Sequence, residues 1–419
     1  MIRTRFALGA RADSVLLGLQ IATVLVFTAA RVFAQVPSIK QNLTNSFPSS
    51  AESAVSVYRK GFETLDIQIN YADHSKVPWI GTGALPPLDR PISTFARNSC
   101  FGLCKSNAAA LACFERAAGL TGGRYIDPAT NTFETLLPHL TCVRNANVLL
   151  CLRAAVYADI GNHEVAEAAL RSNVALLQTL DHEQLLASQL TQASGAGRLV
   201  QSLEQVMNRC RLDAPALALL QQQLSAMESH LNNREDVLAS LMDLQKLESG
   251  LFTVGFERQM KAIGNHDLHS PREGYSSRAD QKFLNDTRVL VEKTFREKGA
   301  EGFVLILNLA SQQSDTAEER GLIVSAKHCR FMWLAFDRFQ DALVSLRLAQ
   351  IAIAIERFRR DHRDRPGDLA ALVPDYLPAT KDSAPEGIVI RYKQLEKGWE
   401  LLAEGDIGEN AKSNFRMLR

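Results

Sequence analysis

At 419 residues, 46% hydrophobic and 22% charged, the chain has the length for two domains or one large helical one, with enough apolar residues for a sizeable core. Its 47 basic and 46 acidic residues leave a formal net charge of +1. That balance excludes a global electrostatic pull toward nucleic acid or a strongly acidic partner, so no nucleic-acid partner is expected.

The N-terminus reads as an export address. Arg3, Arg5 and Arg11 precede an apolar run from Val15 to Ala30, and Val32-Phe33-Ala34 offers the small or tolerated residues a signal peptidase reads. The run is shorter than the roughly 20 residues a spanning helix prefers, whereas the extended stretch Ser14 to Ala34 would cross a bilayer. Residues 1–34 are therefore expected to be a signal peptide or a retained signal anchor, a transmembrane helix. Either way the body is exported: periplasmic, or anchored to the cytoplasmic membrane with its mass outside the cytoplasm. Residues 35–50 are polar and turn-rich and read as a tether.

Residues 51–263 read as a helical body. Ser50 is placed to cap a helix over 51–65, with Val55, Tyr58 and Phe62 on one face. An irregular loop follows at about 70–100, punctuated by Pro78, Gly81, Gly83, Pro86, Pro87 and Pro91. Helices are predicted over 106–118, 131–160, 163–180, 182–210, 213–231 and 234–262. Gly161-Asn162 divides two of them, and Tyr157, Gly161, Ala166 and Leu170 fall at tetratricopeptide (TPR)-like spacing. No second copy follows, and a solenoid needs about three repeats, so antiparallel helical hairpins are expected instead.

Residues 264–281 form a polar linker. Helices are predicted over about 279–298 and 301–313, and Asp315, Thr316, Glu318 and Glu319 look like the acidic first turn of another. It would run into a long amphipathic helix whose stripe is Leu343, Leu346, Leu348, Ile351, Ile353, Ile355 and Phe358, with Ala349, Ala352 and Ala354 allowing close packing. Arg357, Arg359, Arg360 and Arg363 crowd its end, and Pro366 stops it near His362. Asp368 then caps a short helix through Val373. Ile388–Tyr392 and Trp399–Leu402, joined through Lys397-Gly398, read as a two-stranded hairpin. The fold class is thus mainly α: a multi-helix body plus a small C-terminal α+β module.

The order of helix, proline break, "DLAALVPDYLP" and two strands resembles the C-terminal module of type II secretion major pseudopilins. The matching residues are Ile355, Phe358, Arg359, Arg365, Pro366, Leu369, Leu372, Val373, Tyr376 and Tyr392, within residues 338–404. The chain as a whole resembles uncharacterised exported helical proteins of bacteria that end in this module. The resemblance implies a long helix leading into a small sheet in an exported setting. The chain departs from pseudopilins at three points: after Gly18 the fifth residue is Thr23 rather than Glu, Asp382-Ser383-Ala384-Pro385 replaces the family's DPW segment, and the acidic loop shrinks to Gly405–Asn410. That loop has too few ligands for calcium. A filament-forming pseudopilin is not expected.

Chemistry-bearing motifs are few. His266 and His269, with Asp267 between them, are weak metal candidates on the linker. The alternative for this segment is a solvated loop. Seven cysteines suit an oxidising compartment loosely; Cys100, Cys104, Cys113, Cys142 and Cys151 lie close enough in sequence for disulfides, or serve as buried core thiols. No phosphate-cradling glycine loop, HExxH helix or nucleophile elbow is present, so no cofactor is assigned. The expected role is a non-enzymatic scaffold or interaction protein at the cell envelope, with a protein partner there. The alternatives are a component of a secretion or pilus-like assembly, and a hydrolase using His139, His266 or His269 with acids gathered by folding.

Overall fold

The computed structural model describes residues 52–66, 77–80, 84–126, 137–181, 183, 185–232, 277–298, 303–378, 388–405 and 414–418. The export segment, the tether, the helix expected over 234–262, and His266 and His269 lie outside them. Among the described residues ten helices precede a small sheet: α1 (Ala54–Thr64), α2 (Thr94–Ser106), α3 (Ala108–Ala117), α4 (Pro138–Asp159), α5 (His163–Gln178), α6 (Leu186–Arg209), α7 (Ala214–Leu231), α8 (Ser277–Lys298), α9 (Phe303–Glu319) and α10 (Ile323–His362). A one-turn 3₁₀ segment at Ala370–Leu372 leads to β1 (Ile388–Gln394), β2 (Trp399–Gly405) and β3 (Asn414–Met417). The protein is mainly helical with an antiparallel sheet of order β1-β2-β3. The expected two-stranded hairpin is therefore three-stranded. Among the described residues no helix is long and apolar enough to cross a membrane.

Local chemistry sets the boundaries. Ser53, not Ser50, caps α1: its Oγ accepts from Ser56 N at 3.2 Å while Ser56 Oγ accepts from Ser53 N at 3.1 Å. Two helices end in the same device. Gly161 (φ 79°) and Gly321 (φ 69°) adopt left-handed backbone. Their N–H groups donate to Ala158 and Glu318 carbonyls, and those of Asn162 and Leu322 reach back to Tyr157 and Ala317. These paired bonds form the Schellman stop. After Gly161, Asn162 Oδ1 accepts from Val165 N and starts α5 at once. After Gly321 comes α10, so Asp315, Thr316, Glu318 and Glu319 belong to the last turns of α9 instead of opening a new helix. Propensity for acids in a first turn is weak, and the glycine stop overrides it.

The irregular loop hides α2. Ser93 Oγ accepts from Ala96 N and opens that helix, and the chain breaks at Asn107 before α3. The proline-rich part of the loop is strapped to α6: Pro86 O accepts from Gln205 Nε2 at 2.9 Å, and Pro87 O from Arg209 Nη2 at 2.8 Å.

α10 is the spine. Apart from half-buried Arg347, every residue from Ala342 to Glu356 is buried, so the helix is enclosed on all sides and not merely striped. α6, α7 and the sheet supply that enclosure, and α8 and α9 pack along its earlier half. Leu401, Trp399, Phe415 and Met417 form the sheet's core face, all essentially inaccessible. The opposite face carries ion pairs, Arg391–Glu404 and Arg416–Glu400. Residues 53–419 form one compact unit.

Candidate functional site

Sequence reasoning singled out His139 among the described residues, and the structure puts it in a buried polar array. His139 is the second residue of α4 and is 4% exposed. Its Nε2 lies 3.0 Å from Glu183 Oε2, a carboxylate on the connection between α5 and α6. Ser188 Oγ, from the first turn of α6, donates to the same oxygen at 2.5 Å. The Tyr125 ring stacks on the imidazole at 4.8 Å between centroids, and Tyr125 O accepts from Arg59 Nη2 at 2.7 Å. Burial raises the Tyr125 phenol well above its ordinary value. A Ser-His-acid relay needs the imidazole between hydroxyl and carboxylate. Here the carboxylate stands in the middle and both other groups bond to it. The hydroxyl is not handed to a base, so the array ties α1, the segment before α4, and the start of α6 together.

A cleft of about 500 Å³ opens where α2, α3 and α4 meet. Phe101 and Tyr157 form its aromatic wall, edge to face at 5.3 Å, and Leu111 lies beneath. Arg153 Nη2 meets Glu115 Oε1 at 2.6 Å, and the guanidinium sits 5.8 Å from the Tyr157 ring centre. Cys104 lines the cleft, and burial pushes its thiol up to about 11, which disfavours the thiolate at neutral pH. The cleft offers shape, the Arg153–Glu115 pair and the exposed Lys105 at its lining.

The other cysteines follow suit. Cys100, Cys104, Cys113, Cys142 and Cys151 are present as thiols, without disulfide bonds. Burial raises Cys100 and Cys151 to about 12 and Cys142 to about 11. Among the described residues no group of three or more His, Cys, Asp or Glu side chains is arranged to hold a metal ion.

Of the arginines at and just after the end of α10, Arg363 is exposed and the others are taken up by the fold. Arg357 Nη1 donates to Gln221 Oε1 at 2.7 Å, Arg359 pairs with Glu356, Arg360 donates to the Leu212 carbonyl, and Arg365 Nη1 donates to Gly398 O at 2.7 Å. These contacts anchor the C-terminal turn to α7 and the sheet. The partners of His139 and of these arginines lie 30 or more residues away, except for Glu356, so no local spacing announces them. Comparison with known proteins finds no matching family model, no matching curated protein and no matching solved structure.

Proposed function

We propose that this is an exported, envelope-associated, non-enzymatic scaffold or protein-interaction protein. The observation that carries the reading is the use to which its polar groups are put: they join segments instead of converging on a cleft. Glu228 on α7 takes Arg347 Nη2 at 2.6 Å and Gln350 Nε2 at 2.7 Å from α10. Asn208 on α6 both donates to Arg416 O and accepts from Leu418 N, closing the far edge of the sheet. Asp159 gathers Arg209, Arg97 and the N–H of Ile92. A rigid body assembled this way suits presentation of surfaces to a partner. The α4–α5 and α9–α10 pairs, each divided by a glycine stop, support a reading as helical hairpins, TPR-like at the first, a geometry widely used for protein contacts. Export rests on the arginine-flanked apolar run at the N-terminus. The pseudopilin-like order of α10 and the sheet supports the alternative, a component of a secretion or pilus-like assembly.

Crosslinking in intact cells, followed by purification of the full chain from membrane and periplasmic fractions, tests this. A reproducible protein partner outside the cytoplasm is expected. Recovery of the chain in the cytoplasm, or without any partner, contradicts it.

A further inference from the structure

The two edges of the sheet are treated differently. On β3 the outward backbone groups are closed by α6: Glu204 Oε1 accepts from Arg416 N at 2.8 Å, and Asn208 takes Leu418 N and Arg416 O. On β1 nothing comparable is found among the described residues. Leu395 N donates to Gly398 O at the turn, and Gln394 faces Trp399. That phase makes Lys393, Arg391 and Val389 the residues that exchange bonds with β2. The N–H and C=O groups of Ile388, Ile390 and Tyr392 therefore point off the open side, where no other described segment bonds them. An open strand edge of seven residues without proline is a template for another strand.

The side chains along this edge select what is added. Val389 is 58% exposed, the Arg391 side chain 66%, and Lys393 is exposed too, all on the face turned from the core. Cross-strand neighbours on one face interact directly, and like charges there are unfavourable. A second copy paired along the whole strand would set Arg391 against Arg391 or Lys393. Arg391 already pairs with Glu404 at 2.6 Å, so an incoming strand with acids at alternate positions would meet Lys393 directly and share Arg391 with Glu404. We propose that the β1 edge, Ile388–Gln394, is a strand-addition site for an extended acidic segment of a protein partner, with its acids opposite Arg391 and Lys393 and an apolar residue beside Val389. This rests on the interaction-protein reading and gives it a surface and a partner chemistry.

The probe is a capped heptapeptide with glutamate at the two positions opposite Arg391 and Lys393 and valine at the others, titrated into the full chain and followed by NMR or calorimetry. Saturable binding is expected, weakened about tenfold or more by methylating the peptide's alternate backbone nitrogens, by lysine in place of glutamate, or by Lys393→Glu in the protein. Lys393 is exposed but faces Glu400 across the strands, so the fold of that variant is checked by its far-ultraviolet dichroism; the peptide arms decide the matter without it. Absence of saturable binding, or indifference to backbone methylation, overturns the proposal. So does self-association abolished by Lys393→Glu, which would make the occupant a second copy. If the peptide fails while cellular crosslinking still captures a partner with both wild type and Lys393→Glu, the edge is wrong and the interaction-protein reading stands. If wild type captures nothing, that broader reading fails.

Discussion

Asp341, on the buried face of α10, is the residue whose ionisation works against the fold. Its side chain is 15% exposed, its Oδ1 is buried without a hydrogen-bond partner, and Gln340 beside it is buried with neither amide atom bonded. Burial first and the nearby Asp337 second push the carboxyl up to about 7, with Arg338 pulling the other way. The folded value lies above the ordinary 3.8, so the folded state holds an extra proton between the two. Stability is then fullest in acid, falls as pH rises through that window, and is lowest above about 7. Asp341→Asn is expected to raise stability by on the order of 2 kcal/mol at about pH 8 and to change it little at about pH 4. Denaturant midpoints at the two pH values check this, and an equal effect at both would contradict it. Nothing in the sequence marks this acid, which stands on a helix full of charges; only enclosure by neighbouring elements distinguishes it. His139 is similar, since Glu183 is 44 positions away.

Between elements, one polar joint is Glu228 on α7 with Arg347 and Gln350 on α10, where one buried carboxylate serves both. Removing it takes that carboxylate from a partly buried guanidinium. Glu228→Ala is expected to cost about 3 kcal/mol, and Glu228→Gln, which keeps an acceptor, clearly less. Urea denaturation of the two variants measures the difference. The joint between α6 and β3 is peripheral by comparison. Asn208→Ala is expected to speed hydrogen exchange at Leu418 N–H while leaving α10 amides protected, a local opening rather than a global one. Elements with strong punctuation are legible in sequence: α5 begins after Gly161-Asn162 as its residues dictate, and α7 begins after Asp213, whose Oδ1 accepts from Ala216 N. α2 is masked by the prolines before Ser93. β3 is four residues long and exists because β2 offers an edge, so its own residues do not predict it.

At the scale of the molecule, the long helix and the strands that follow it are not appended to the helical body but sunk into it. α10 is covered by α6 and α7 as well as by the sheet. Sequence periodicity shows an apolar helix but not how many neighbours enclose it, which is why a stripe was expected where a spine is found. Such shared burial couples the sheet to the helices in unfolding. The most direct test is equilibrium unfolding of a Trp79→Phe, Trp333→Phe variant, in which Trp399 fluorescence reports the sheet core and far-ultraviolet dichroism reports the helices. Trp399 is 1% exposed and its Nε1 donates to Glu356 Oε1 of α10, so its emission tracks that contact. Coincident transitions with one midpoint are expected; a sheet transition separated from the helical one would contradict a single body built on α10.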